Sequence, residues 1–162
     1  VQCRLAVLLF LLTVTMPVSA AKLYAFETLS EKVRPVQVDI RKALLATEAE
    51  EFQDCQRQIG FTNSQMEDYF TAIGIGLNAG KGQGLLVLPT KYCDAFFGAH
   101  AIAFWVFLTG PNNPRLVLTG RQDALEVSDS TVNGLANLTS YYGGTATHFV
   151  YNGKHYVVRR KR

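Results

Sequence analysis

The chain has 162 residues, with 16 Lys/Arg against 13 Asp/Glu, a net charge of +3, and 48% hydrophobic residues. That length suits one domain with a sizeable core, and no internal repeat or long low-complexity linker divides it. Setting aside Arg4 and the terminal Arg159-Arg160-Lys161-Arg162 reduces the 16 basic residues to 11 against 13 acidic ones, so the body of the chain is slightly acidic. No basic face interleaved with aromatics stands out, and nucleic-acid binding is not expected.

At the N-terminus, Arg4 precedes the apolar run Leu5–Leu12, which continues through Val14 and Met16 to Pro17. The small residues Val18-Ser19-Ala20 complete the three parts of a secretory signal, predicted over residues 1–20 with cleavage after Ala20 or Ala21. The run falls short of the roughly 20 apolar residues a membrane span needs. Cys3 lies before the run, so no lipid-acceptor cysteine follows it. The expected product is a periplasmic or secreted domain over residues 21–158 with a basic tail at 159–162. Such a tail is expected to be solvated and to touch anionic surfaces weakly.

Removal of the signal leaves Cys55 and Cys93, and an exported pair is read most simply as one disulfide. The competing reading is a nucleophilic Cys93 served by His100 or another histidine.

Pro35 suits the first turn of a helix carrying Val36, Ile40, Leu44 and Leu45. Thr47-Glu48-Ala49-Glu50 fits a capping box for a second helix, with Phe52, Cys55 and Ile59 on one face and Gly60 ending it. A third, shorter helix is expected from Thr62, burying Met66, Tyr69, Phe70 and Ile73. After Gly74 the pattern changes. Strands are predicted at Leu85–Leu88, Ala101–Leu108, Arg115–Thr119, Ala124–Val127, Leu135–Thr139, Thr147–Tyr151 and Lys154–Arg159, separated by Gly, Asn and Pro turns. Asn152-Gly153 is the strongest hairpin signal. The expected fold is α+β, with N-terminal helices packed on one antiparallel meander of about five to seven strands.

The glycine-rich stretch Ile73–Pro89 invites a ligand-loop reading, and the residues refuse it. A phosphate loop needs Gly-Lys-Ser/Thr opening a helix, whereas Lys81 is followed by Gly82 and a strand. A dinucleotide fingerprint lacks its flanking strand and helix. A calcium loop needs alternating acids, and Gly76-Leu77-Asn78-Ala79-Gly80-Lys81 has glycines where both aspartates belong. No cofactor and no metal are expected.

Several short features occur in one order: Phe52-x-x-Cys55, the Leu77-Asn78 loop, Leu85-Leu86-Val87, Cys93, Ala103–Phe107, Thr131–Ser140, and Gly143–Val157. In this the chain resembles a loosely defined group of exported bacterial proteins with a helix, two cysteines, a short sheet and a closing aromatic-Asn-Gly-Lys-x-Tyr hairpin. The likeness spans roughly Phe52 to Val158 and departs at the loop, where the group's acids are missing. It implies fold and compartment, and no particular activity.

His100, His148 and His155 are too far apart for a helical metal pair, although His148 and His155 flank the last hairpin. There is no Gly-x-Ser-x-Gly elbow. Asn137-Leu138-Thr139 fits a glycosylation acceptor in a eukaryotic host. Strand alternation puts Phe104 and Val106 on one face and Trp105 and Phe107 on the other. Either that second row is open to a partner, or the strand is central and buried on both faces.

The leading expectation is an exported, non-enzymatic protein-binding domain of inhibitor or immunity type, using a sheet face or edge. Trp105, Phe107, Tyr141 and Tyr142 are its candidate contact residues, and no catalytic residue is assigned. The alternative is a small periplasmic or secreted hydrolase working through Cys93, His100 or the His148/His155 hairpin.

Overall fold

The computed structural model describes residues 21–29, 33–60, 69–78, 84–98, 101–110 and 114–160. Two short strands, β1 (Lys22–Ala25) and β2 (Arg34–Pro35), precede helices α1 (Val38–Thr47) and α2 (Ala49–Ile59). Eight strands follow: β3 (Phe70–Ile75), β4 (Gly84–Pro89), β5 (Ile102–Leu108), β6 (Arg115–Gln122), β7 (Ala124–Val132), β8 (Leu135–Tyr142), β9 (Thr145–Tyr151) and β10 (Tyr156–Val158). They form two five-stranded antiparallel sheets, β2-β3-β4-β5-β6 and β1-β7-β8-β9-β10. The expected single meander is therefore two, joined at Asp123, where the chain leaves β6 and enters β7.

The layers run helices, central sheet, outer sheet. On the helix side of the central sheet, Phe70, Ala72, Leu85, Val87, Ala103, Trp105 and Phe107 pack with Ile40, Leu44, Phe52 and Cys55. On its other side, Ile73, Ile75, Leu86, Leu88, Phe104 and Val106 meet Leu125, Val127, Leu138, Tyr151 and Tyr156 of the outer sheet. Strict alternation along β3, β4 and β5 feeds both cores at once. Each fully buried aliphatic or Phe side chain stabilises the fold by roughly 1.5–3 kcal/mol.

Both helices are amphipathic, with Ile40 and Leu44 inward on α1 and Phe52 and Cys55 inward on α2. Their ends differ from expectation. Pro35 lies in β2 and pairs with Thr71, and α1 begins later, at Val38. The capping box does not form: Thr47 ends α1 and donates its hydroxyl back to the Ala43 carbonyl at 2.8 Å. Gly60 does end α2, at φ 66°, with its N–H on the Gln56 carbonyl. Leu45 and Ile59, expected inside, are each 38% exposed. The predicted third helix fails where it can be judged. Thr62 to Met66 lie outside the described residues, and Phe70–Ile75 is strand, with Phe70 and Ile73 on opposite faces.

Cys55 and Cys93 form the expected disulfide, which closes a separation of 38 residues and ties α2 to the loop after β4. Gln58 Oε1 accepts the Asp94 N–H at 2.9 Å, a second tie between the same segments. The glycine stretch has a packing use at its described end. A Cβ on Gly84 would stand 2.5 Å from Leu77 Cγ, so only glycine lets β4 begin against that buried leucine. The two-residue hairpins are Asn133-Gly134 and Gly143-Gly144, all four residues at positive φ. The Asn152-Gly153 turn is wider, with Asn152 Oδ1 accepting the N–H groups of Lys154 and His155.

Two predictions concern this core. In the chain-entropy description, the disulfide contributes on the order of 4 kcal/mol. Denaturant unfolding of the Cys55→Ser/Cys93→Ser variant is expected to show a loss of that size, and a loss under about 1 kcal/mol would deny the staple its role. The second concerns Tyr69, whose phenol is pushed up to about 12 by burial. An acid raised in the folded state stabilises the fold below its unfolded value and loses that contribution as pH climbs. Between about pH 10 and 12 stability should fall, and Tyr69→Phe should flatten that slope, read from denaturation midpoints across the range.

Candidate functional site

The central sheet is covered on both faces, so surface chemistry concentrates on the outer sheet. Its outward face is built by register. Leu23 lies opposite Glu126, Glu126 opposite Thr139, and Thr139 opposite His148, giving one transverse row over four strands. The Arg159 N–H donates to the His148 carbonyl at 2.8 Å and extends the row beyond β10. A parallel row carries Ala25, Ala124, Tyr141 and Ala146.

These side chains are mutually bonded. Tyr141 donates its hydroxyl to Glu126 Oε2 at 2.5 Å. That hydrogen bond, followed by burial and the carboxylate's charge, raises the Tyr141 pKa above the usual phenol value. Thr139 Oγ1 and His148 Nδ1 are 3.1 Å apart. A bulge in β7 sets Ser128 and Ser130 hydroxyl to hydroxyl at 2.9 Å, and Asn137 Nδ2 donates to Ser130 at 2.8 Å. These three residues, with Glu126, Thr139, His148 and Arg159, line a polar groove of about 260 Å³. Asn137 Oδ1 is buried there with no hydrogen-bond donor among the described residues. The Asn137 acceptor motif thus sits in mid-strand with its amide nitrogen engaged and Thr139 only 7% exposed.

A second feature lies where the chain crosses between sheets. Asp123 donates its N–H to the Tyr141 carbonyl and accepts the Phe26 N–H, fixing β1 and β8 on either side of the crossing. Around it Ala25, Glu27, Thr28, Ala124, Tyr142 and Gly143 line an open pocket of about 540 Å³.

The candidate residues divide sharply. Trp105 and Phe107 are 1% and 0% exposed, and so have no surface to offer a partner in this fold. Phe70 and Phe96 lie edge-on to Trp105, at 5.6 and 5.4 Å, and Glu48 Oε1 accepts its indole N–H at 2.9 Å. The two-sided burial reading of β5 is the one that holds. Tyr141 is half-buried in the Glu126 row, and Tyr142 is 48% exposed at the pocket. Cys93 is consumed by the disulfide, which removes its thiolate from the hydrolase alternative. His100 lies outside the described residues. His155 faces Asn152 in the β9–β10 turn, four residues along β9 from His148, or about 13 Å at strand rise. Among the described residues no three His, Cys, Asp or Glu side chains come together as a metal set, and no helix is long and apolar enough to cross a membrane.

The sequence reading missed Glu126, Thr139 and Asp123 as surface-forming residues. Its available signal was the polar alternation Asn137-x-Thr139-x-Tyr141, which marks an outward face once β8 is accepted as a strand. No family model, curated protein or solved structure matches the chain.

The Tyr141–Glu126 bond gives a direct check. In Glu126→Gln the carboxylate charge is removed, and the Tyr141 pKa should move down toward the ordinary phenol value in an NMR titration. An unmoved value would place the cause of the shift elsewhere.

Proposed function

We propose that the chain is an exported, non-enzymatic protein-binding domain, of the inhibitor or immunity kind, that meets its partner with the uncovered face of the outer sheet. The observation that carries this reading is an asymmetry of cover. Helices and outer sheet remove both faces of the central sheet from water, while among the described residues the outer sheet packs against another layer only with its inner face. Its outward face combines exposed Leu23 (57%) with a field of engaged polar groups, and exposed Tyr142 (48%) stands at the end of β8 beside it. Protein interfaces of moderate affinity share that mix, an aromatic or aliphatic anchor within a polar surround. The groove, about 260 Å³, lies below the roughly 300–1,000 Å³ of small-molecule sites, which suits a surface contact better than enclosure of a small substrate.

Export follows from the same proposal. The disulfide and the lack of a membrane-crossing helix among the described residues are compatible with a protein outside the cytoplasm. The signal segment itself, residues 1–20, lies outside the described residues.

The test is affinity capture with Lys22–Arg162 as bait against envelope and secreted extracts, run beside a Leu23→Asp/His148→Asp variant. Both positions are exposed, so the variant should fold. A stoichiometric partner retained by the native domain and weakened tenfold or more by the variant is the expected result. A partner held equally by both would contradict the proposed face. Alanine at Trp105 tests the core, not binding.

A further inference from the structure

We infer that Asn152 is a site of covalent self-modification: the turn between β9 and β10 promotes its conversion to aspartate and isoaspartate. The inference stands apart from the protein-binding reading, because the only co-reactant it needs is water. The chain holds two Asn-Gly steps, Asn133-Gly134 and Asn152-Gly153, and both lie exposed in hairpin turns. Their side chains are held in opposite ways.

At Asn152 the amide oxygen is the held atom. Oδ1 accepts the Lys154 N–H at 2.9 Å and the His155 N–H at 3.0 Å. Bonds of this kind fold an asparagine side chain back over the peptide that follows it. Two N–H donors on a carbonyl oxygen draw charge from its carbon and stabilise the oxyanion that attack on that carbon creates. The attacking atom is the Gly153 nitrogen, whose N–H has no acceptor among the described residues. Gly153, at φ 101°, brings no side chain to crowd the approach. The leaving nitrogen, Nδ2, lies 3.5 Å from His155 Nε2, a group able to supply its proton.

At Asn133 the amide nitrogen is held instead. Its Nδ2 donates to the Tyr151 carbonyl at 2.8 Å, which turns the side chain toward β9 and away from Gly134. No described donor bonds its Oδ1. The same two letters are thus activated in one turn and tied down in the other.

The step balances without any redox change. The Gly153 nitrogen gives its proton to water and bonds Asn152 Cγ, the Cγ–Nδ2 bond breaks, and the nitrogen leaves as ammonia. Water then opens the resulting succinimide at either carbonyl. One opening gives aspartate; the other gives isoaspartate and lengthens the turn backbone by a methylene. Both products place a carboxylate beside Lys154 and His155, in the turn that closes the Tyr151–Tyr156 pair.

The test is incubation of the disulfide-intact domain Lys22–Arg162 near neutral pH, with the reduced and denatured chain beside it. Peptide mapping by mass spectrometry follows amide-to-acid conversion, and retention time separates aspartate from isoaspartate. In the folded domain Asn152 is expected to convert roughly tenfold or more faster than Asn133, and faster than in the denatured chain, a modest share of what preorganised oxyanion donors achieve in buried sites. His155→Ala, a change at an exposed position, should slow Asn152 by about two- to fivefold, since water replaces an exposed acid in part. An unchanged rate in that variant would remove the histidine from the step. Equal rates at the two asparagines in the folded domain, faster conversion of Asn133, or conversion of Asn152 that unfolding accelerates would overturn the assignment.

Discussion

The side chains of β5 must leave water on both sides at once. Phe104 and Val106 point to one core, Trp105 and Phe107 to the other, and none of the four is more than 1% exposed. A strand with that demand cannot sit at a surface, and it cannot be satisfied by helices alone. The second sheet covers Phe104 and Val106, and the helix pair covers Trp105 and Phe107. The disulfide fixes α2 to the loop that carries Phe96, and Phe96, Phe70 and Phe52 form a run of edge-to-face contacts down to Trp105. Such aromatic contacts add about 0.5–1.5 kcal/mol each beyond their buried area. Glu48, at the break between α1 and α2, satisfies the indole N–H that burial would otherwise leave unpaired.

The consequence for function is indirect. Covering β5 uses both faces of the central sheet and the inner face of the outer sheet. Of the two sheets, what remains to solvent among the described residues is the polar outward face and the crossing at Asp123. The crossing is a structural necessity, because β6 belongs to one sheet and β7 to the other and one residue separates them. The same residue that makes the turn, through its backbone bonds to Phe26 and Tyr141, also lines the open pocket at the crossing. Fold and pocket share that residue.

Much of the β architecture was legible because it is local. The seven strands expected after Gly74 all exist, most of them bounded by glycine, asparagine or proline turns; the turn expected at Thr119-Gly120 does not form, because Gly120 lies within β6 opposite Phe104 and the chain crosses at Asp123. The three strands that were missed are short or deceptive. β1 has four residues and finds its partner on β7, a hundred residues on, so nothing nearby in sequence announces it. Phe70-Thr71-Ala72-Ile73 has apolar residues three apart, which mimics a helical stripe, but pairing with β4 sends Phe70 and Ile73 to opposite cores. Thr47-x-x-Glu50 has the letters of a capping box, yet α1 runs through Thr47 and takes its hydroxyl. Of the site, Tyr142 was found from its aromatic character. Asp123 was not, because its importance comes from where two sheets meet and no sequence period encodes that.

Trp105 is the chain's single tryptophan, so intrinsic fluorescence reports the covered face of β5 without interference. The decisive measurement is its emission and its quenching by iodide, in the oxidised domain and after reduction of Cys55–Cys93. Blue-shifted emission and almost no quenching are expected while the disulfide is intact, with a red shift and rising quenching on reduction as the helix pair loosens. Quenching of the oxidised, folded protein close to that of free tryptophan amide would contradict this expectation, and would return Trp105 to the surface.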